Sequence, residues 1–81
     1  MGKIIRNNKD LGEAIRLARK TMDLRQIDVA QKASVRQALV SELENGATTA
    51  KLGTVIRVLA ALDMDLSTVP RRKVKFDPTE Y

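Results

Sequence analysis

The chain contains no cysteine, no histidine and no tryptophan, and it has one phenylalanine and one tyrosine. Without Cys and His it cannot build disulfides, thiolate or imidazole zinc sites, or catalysis that depends on those side chains. No apolar run approaches the roughly 18 residues of a membrane-spanning helix, and no signal-peptide pattern opens the sequence. We therefore expect a cytoplasmic, non-enzymatic protein with no metal, no cofactor, no membrane contact and no small-molecule substrate.

What the chain does have is a small-domain composition with an uneven charge. Its 81 residues are 43% hydrophobic and 31% charged, with a net charge of +5. A chain this short buries only about 60–65% of its unfolded surface, so a partner subunit would add stability. Residues 1–36 carry nine basic and four acidic side chains. Residues 37–70 carry two basic and four acidic side chains, and residues 71–81 carry four basic and two acidic ones. The basic front half indicates either a polyanionic partner or an ordinary solvated surface.

Apolar residues at helical spacing predict four helices. Their predicted ranges are 9–22, 26–33, 36–44 and 51–62. Asn8 and Thr49 are candidate N-caps of the first and fourth helices, because their side-chain oxygens can accept from free backbone N–H groups. Gly46 is expected to end the third helix, because glycine tolerates the left-handed conformation found there.

The fourth helix and the segment after it carry the predicted dimer contacts. Five residues are predicted to share the inward face of that helix: Leu52, Val55, Ile56, Leu59 and Leu62. Val58 and Ala61 widen this face beyond the needs of one side of a small bundle. Residues 63–67 alternate polar and apolar side chains, which is the period of a strand. Because a single strand is not stable alone, we expect the same strand of a second copy beside it. The predicted dimer contacts are Leu59, Leu62, Met64 and Leu66.

Residues 24–46 hold the most informative pattern. Two short helices meet at a tight turn with small residues at their crossing, which is typical of a helix-turn-helix. Such a crossing lets the second helix project into a DNA major groove about 12 Å wide. We divide the chain into an N-terminal arm at 1–8, a helix-turn-helix and dimerisation domain at 9–69, and a basic tail at 70–81.

Residues 11–62 resemble the lambda-repressor/Cro-like (xenobiotic-response-element) helix-turn-helix family. The matching positions are Gln26, Ala30, Val35, Gln37, Ser41 and the Leu-Glu-Asn-Gly of 43–46. The segments 41–46, 49–53, 58–62 and 69–71 narrow the resemblance to HipB-type antitoxins. The resemblance implies an all-α domain of four to five helices with a short C-terminal strand that forms an intersubunit sheet. It also implies a homodimer that represses its own operon and binds a HipA-like serine/threonine kinase toxin.

The resemblance also implies which side chains meet double-stranded DNA. The residues at the family's base-contacting positions are Arg36, Gln37, Ala38 and Ser41. Glutamine can form a bidentate pair with adenine, alanine can touch a thymine methyl, and arginine can pair with guanine or hold a phosphate. The predicted phosphate contacts are Gln26, Arg25, Asn45 and Arg19, although Arg19 has pairing with a carboxylate as its alternative. Glu44 is expected to bond within the fold.

Two positions depart from the family pattern. Arg25 stands where the second helix usually opens with Thr or Ser, and this loss of a side-chain cap costs about 1 kcal/mol. Ser34 stands where glycine is usual, and a left-handed serine there costs roughly 1 kcal/mol more than glycine.

The basic tail and the partner leave alternatives open. The tail is a solubilising end, a source of nonspecific DNA affinity, or a segment that anchors Phe76 and Tyr81 in a protein partner. A two-fold symmetric dimer predicts a palindromic operator. The alternative functions are a phage-like or stand-alone regulator with no toxin, and a protein-interaction module that no longer binds DNA.

Overall fold

The computed structural model describes residues 4–47 and 49–71, and these form a small helical bundle. Its helices are α1 (Asn8–Thr21), α2 (Gln26–Ala33), α3 (Gln37–Glu44) and α4 (Leu52–Ala61). All four predicted helices are present, with ends that shift by one residue at most, and the all-α fold class is confirmed. None of the helices in the described part of the chain is long and apolar enough to span a membrane.

The start of α1 corrects the predicted N-cap. Asn7, not Asn8, caps the helix, because its side-chain oxygen accepts from the backbone N–H of Asp10 at 2.8 Å. The Asp10 carboxylate in turn accepts from the backbone N–H of Arg6 at 3.0 Å. Asn7 has the extended backbone that a cap requires. Asn7 is therefore the cap, and the adjacent Asn8 is the first residue of the helix.

Gly12 sets the distance between α1 and α3. A Cβ at this position would lie 2.6 Å from the Glu44 carbonyl oxygen and would also overlap the Leu43 carbonyl. Only glycine lets the backbones approach this closely. A glycine inside a helical pattern often marks such close packing.

The core is aliphatic and is centred on α2, which packs against both α3 and α4, while α1 packs against α3. The largest fully buried side chains come from all four helices: Ile15, Val29, Val40, Leu43 and Val58. The absence of aromatic residues from positions 4–71 thus leaves a core of branched aliphatic side chains and alanines, which allows short helices to pack closely.

The predicted inward face of α4 is partly wrong. Val58 is fully buried, whereas Leu52 and Ile56 are 63% and 45% exposed. The helix's own apolar residues occupy more than half of its circumference, so their spacing alone does not identify the buried side. Packing against α2 selects Val55, Val58 and Leu59. The predicted cap Thr49 is also wrong, since Lys51 is the N-cap residue, and the Lys51 side chain makes no capping hydrogen bond.

The segment after α4 begins with a turn. Asp63 adopts a left-handed conformation with φ of 56°, and the backbone N–H of Met64 donates to the Leu59 carbonyl at 2.9 Å. Residues 64–71 then run without regular secondary structure, and no β-strand forms within 4–47 and 49–71. Pairing of 63–67 with a second copy therefore stays a prediction.

Candidate nucleic-acid interface

The turn between α2 and α3 is short and well hydrogen-bonded. Ser34, which stands where the family usually has glycine, is left-handed, with φ of 58° and ψ of 46°. The backbone N–H of Val35 donates to the Ala30 carbonyl at 2.9 Å, and an Arg57 guanidinium nitrogen donates to the Ser34 carbonyl at 3.3 Å. No signal in the sequence pointed to Arg57. These bonds satisfy backbone groups at the end of α2 and fix the angle at which α3 leaves.

The third helix has one buried side and one solvent side. Val40 and Leu43 are fully buried and hold the helix against the bundle. The four predicted base-reading residues lie at its start or along its outer side: Arg36, Gln37 and Ala38, which are exposed, and Ser41, which is half-buried. The leading end of α3 is therefore accessible to a ligand as large as duplex DNA.

A buried carboxylate joins α1, α2 and α3. The Glu44 side chain is 4% exposed and pairs with Arg19, at 2.6 Å from Arg19 Nε to Glu44 Oε2 and 3.0 Å from Arg19 Nη2 to Glu44 Oε1. Gln26 Nε2 donates to Glu44 Oε1 at 3.1 Å. The hydrogen bonds to Glu44 raise the pKa of Arg19 above its ordinary value, against the opposing effect of burial. The expectation that Glu44 bonds within the fold is confirmed.

Arg19 is thereby removed from the predicted phosphate contacts. Its third donor, Nη1, bonds the Leu24 carbonyl at 2.9 Å, and its side chain is 13% exposed. Every guanidinium nitrogen thus has a partner inside the fold. The alternative interpretation, that Arg19 pairs with a carboxylate, is the correct one.

The first turn of α2 carries an exposed ion pair. Arg25 has no side-chain acceptor and does not cap the helix, but the Asp28 carboxylate accepts from the Arg25 backbone N–H at 2.8 Å. It also accepts from the Arg25 guanidinium at 3.0 and 3.1 Å. These bonds lower the pKa of Asp28 and raise the pKa of Arg25. Asp28 therefore supplies part of the stabilisation that a Ser or Thr at position 25 would give.

The end of α3 contains the remaining predicted phosphate contact. Asn45 is the exposed C-cap residue, and Gly46 follows it with φ of 72°, which confirms the predicted left-handed glycine. A Cβ on Gly46 would lie 3.1 Å from the Cα of Lys9. Glycine is thus required here by backbone conformation and by the close approach of α1.

The predicted dimer contacts divide into two groups. Leu59 and Leu62 are each 2% exposed within the chain itself, so they belong to the core and are wrong as surface contacts. Met64 is half-buried against the core, and Leu66 is exposed. The predicted partner-binding residues Phe76 and Tyr81 lie outside the described residues.

A helix-turn-helix family model matches residues 15–69, and the chain belongs to this helix-turn-helix family, whose members place their second helix in the DNA major groove. An uncharacterized HTH-type transcriptional regulator of Sinorhizobium fredii (strain NBRC 101917 / NGR234), y4mF, is 39% identical over 62 residues. These residues are 76% of this chain and 82% of the relative.

Solved structures show the same fold. A HipB–O4 20mer complex contains a chain with a TM-score of 0.80 and 24% identity, over 88% of this chain and 100% of that one. A chain of a HipA–HipB–O2–O3 complex has a TM-score of 0.79 and 24% identity, over 88% of this chain and 100% of that one. The restriction-modification controller protein C.AhdI of Aeromonas hydrophila has a TM-score of 0.68 and 22% identity, over 72% of this chain and 88% of that one. The resemblance to HipB-type proteins that the sequence indicated is confirmed at the level of the fold.

Proposed function

We propose that the chain is a cytoplasmic, sequence-specific transcriptional repressor that binds a palindromic operator as a homodimer and serves as the antitoxin of a toxin–antitoxin module. The observation that carries the DNA-binding part is the position of Gln37. It is exposed at the first position of an eight-residue helix whose other side is anchored by buried Val40 and Leu43. A rigid helix with a polar, exposed leading end is what major-groove readout requires.

The base readers have distinct roles in this proposal. Gln37 forms a bidentate pair with adenine through its amide, and the Ala38 methyl packs on a neighbouring thymine methyl. Arg36 pairs with guanine or with a phosphate, and Ser41, one helical turn after Gln37, bonds a base edge or a phosphate.

The phosphate contacts come from the two ends of the motif. The free backbone N–H groups at the start of α2 favour an anion, and Gln26 and Arg25 lie there. Asn45 lies exposed at the opposite end of α3. Contacts at both ends would fix the register of α3 along the groove, since phosphate contacts position a protein while base contacts specify the sequence.

The test of base readout starts from an operator selected out of random duplexes with the wild-type protein. Gln37→Ala should lose about 1–3 kcal/mol of discrimination at one base pair per half-site and keep its nonspecific affinity. Gln31→Ala, an exposed glutamine on α2, is the matched control and should leave discrimination unchanged. Equal weakening of Gln37→Ala on every duplex would contradict the assigned role.

For the homodimer we propose an interface shifted from Leu59 and Leu62 to the outer side of α4. Leu52 and Ile56 are exposed and four residues apart, so they form one apolar strip. Leu66 and Val69 of the following segment are exposed as well. A second copy that covers these side chains would also bring the two 63–67 segments together as a shared sheet.

Sedimentation velocity tests this interface. Ile56→Asp should raise the dimer dissociation constant at least about tenfold, which corresponds to about 1.4 kcal/mol for burying a charge. Leu17→Asp, at an apolar and more exposed position of α1, should leave the dimer intact. A dimer that survives Ile56→Asp would place the interface elsewhere.

The proposed toxin partner is a HipA-like kinase. A HipB chain of the same fold is found in a complex with HipA, O2 and O3, and this association supports an antitoxin that binds a HipA-like protein. Co-purification with the product of the adjacent gene tests this. A stoichiometric HipA-like kinase would support the antitoxin function, whereas no partner at micromolar concentration would favour a stand-alone regulator.

A further inference from the structure

Glu44 does more than hold the bundle together, because its carboxylate contacts a residue at the proposed DNA surface. It is the last residue of α3, and it bonds Gln26, the first residue of α2, through Gln26 Nε2 at 3.1 Å. The two other hydrogen bonds to this carboxylate come from Arg19. One buried group therefore links the end of the reading helix to the proposed phosphate-binding end of α2.

The chemistry of the carboxylate fixes which way round the Gln26 amide lies. An ionised carboxylate only accepts hydrogen bonds, so the amide group that faces it must be the NH₂ and not the carbonyl oxygen. Glu44 takes one of the two Nε2 hydrogens, and the second hydrogen is left for another acceptor. Without Glu44 nothing selects between the two amide orientations, and one of them presents a carbonyl oxygen that repels a phosphate.

We propose that Glu44 is a positioning residue for operator binding: it orients the Gln26 amide so that Nε2 donates to a DNA phosphate. This inference rests on the proposed function, because it assumes that Gln26 contacts the backbone. It makes a prediction opposite in sign to simple electrostatics. Removing a carboxylate near DNA should strengthen binding by reducing repulsion, whereas the loss of a positioning carboxylate should weaken it.

Charge-matched variants separate these two effects. Glu44→Gln should weaken operator binding about fivefold to tenfold, in the range of one charge-assisted hydrogen bond. Glu42→Gln, an exposed residue of the same helix, removes the same charge and should bind equally or more tightly. Both are measured by fluorescence anisotropy at one fixed salt concentration, at a temperature where circular dichroism shows each variant folded. Binding by Glu44→Gln as tight as that of Glu42→Gln would overturn the inference.

A double-mutant cycle tests whether Glu44 acts through Gln26. In a Gln26→Ala background, Glu44→Gln should cost no further operator affinity, because the oriented group is already absent. A purely structural role of Glu44 predicts the same loss in both backgrounds, and that result would also overturn the inference. If the wild-type protein selects no duplex at all, the proposed function fails instead, and the two failures are thus distinguishable.

The wild-type protein provides a check that does not depend on folding of any variant. In the free protein, NMR should show that one of the two Gln26 Nε2 protons is protected from solvent exchange, because it is bonded to Glu44. The other proton should shift when operator is added. If both Nε2 protons exchange rapidly with solvent in the free protein, the proposed orientation is contradicted.

Discussion

Replacing Gly12 with alanine is expected to destabilise the domain, although alanine is the better helix former. Intrinsic propensity favours alanine inside α1 by about 1 kcal/mol. The new Cβ, however, would lie 2.6 Å from the Glu44 carbonyl oxygen and would overlap the Leu43 carbonyl. Both obstacles are backbone atoms at the end of α3, so no side-chain rotation relieves the overlap.

The size of the effect follows from these opposing terms. Overpacking against backbone lies at the upper end of its usual range, about 3 kcal/mol, and the gain in propensity reduces this to a net loss of about 2 kcal/mol. For a domain of this size that corresponds to a fall in Tm of about 8–16 °C. Since α3 must move away from α1, the operator affinity of the folded fraction should fall as well.

The assay is urea unfolding followed by circular dichroism, with Gly53→Ala as the matched control. Gly53 also lies in a helix, but a Cβ there meets nothing within 4 Å. Gly53→Ala should therefore raise stability by up to about 1 kcal/mol. If Gly12→Ala proves as stable as the wild type or follows Gly53→Ala upward, the close approach of α1 to α3 is refuted.

Three further results are expected. Ser34→Gly should stabilise the domain by about 1 kcal/mol in thermal unfolding, because it removes a left-handed non-glycine residue; a loss of stability would mean that the turn is relaxed as it stands. Val58→Ala should lower the free energy of unfolding by about 2 kcal/mol. Leu52→Ala, measured at a protein concentration below the dimer dissociation constant, should change it by less than about 0.5 kcal/mol. A larger loss for Leu52→Ala than for Val58→Ala would mean that the predicted inward face of α4 is correct. The hydrogen bonds from Arg25 lower the folded-state pKa of Asp28, so its contribution to stability is present above the unfolded value of about 4 and is lost as the pH falls through the folded value. The Tm difference between the wild type and Asp28→Asn should therefore shrink on acidification, and a difference that grows would contradict this sign.

Much of the fold and of the reading helix was predictable because the causes are local. Helical spacing of apolar residues identified all four helices, and Gly46 marked the end of α3 because few other residues adopt its φ of 72°. Ser34 stands where the resembling family usually has glycine, and this position is left-handed in the structure. Gln37 and Arg36 were expected at the exposed start of α3, and they lie there, because a helix anchored on one side exposes the other.

The pairings between distant residues were decided only by the tertiary structure. Arg19 and Glu44 are 25 positions apart, and a basic residue on an amphipathic helix gives no sign of whether it faces a phosphate or a buried carboxylate. On α4, Leu52 and Val58 are equally apolar, and only the contact with α2 determines that Val58 is buried and Leu52 exposed. Periodicity describes one helix at a time, whereas burial and ion pairing depend on which surface of another helix lies against it.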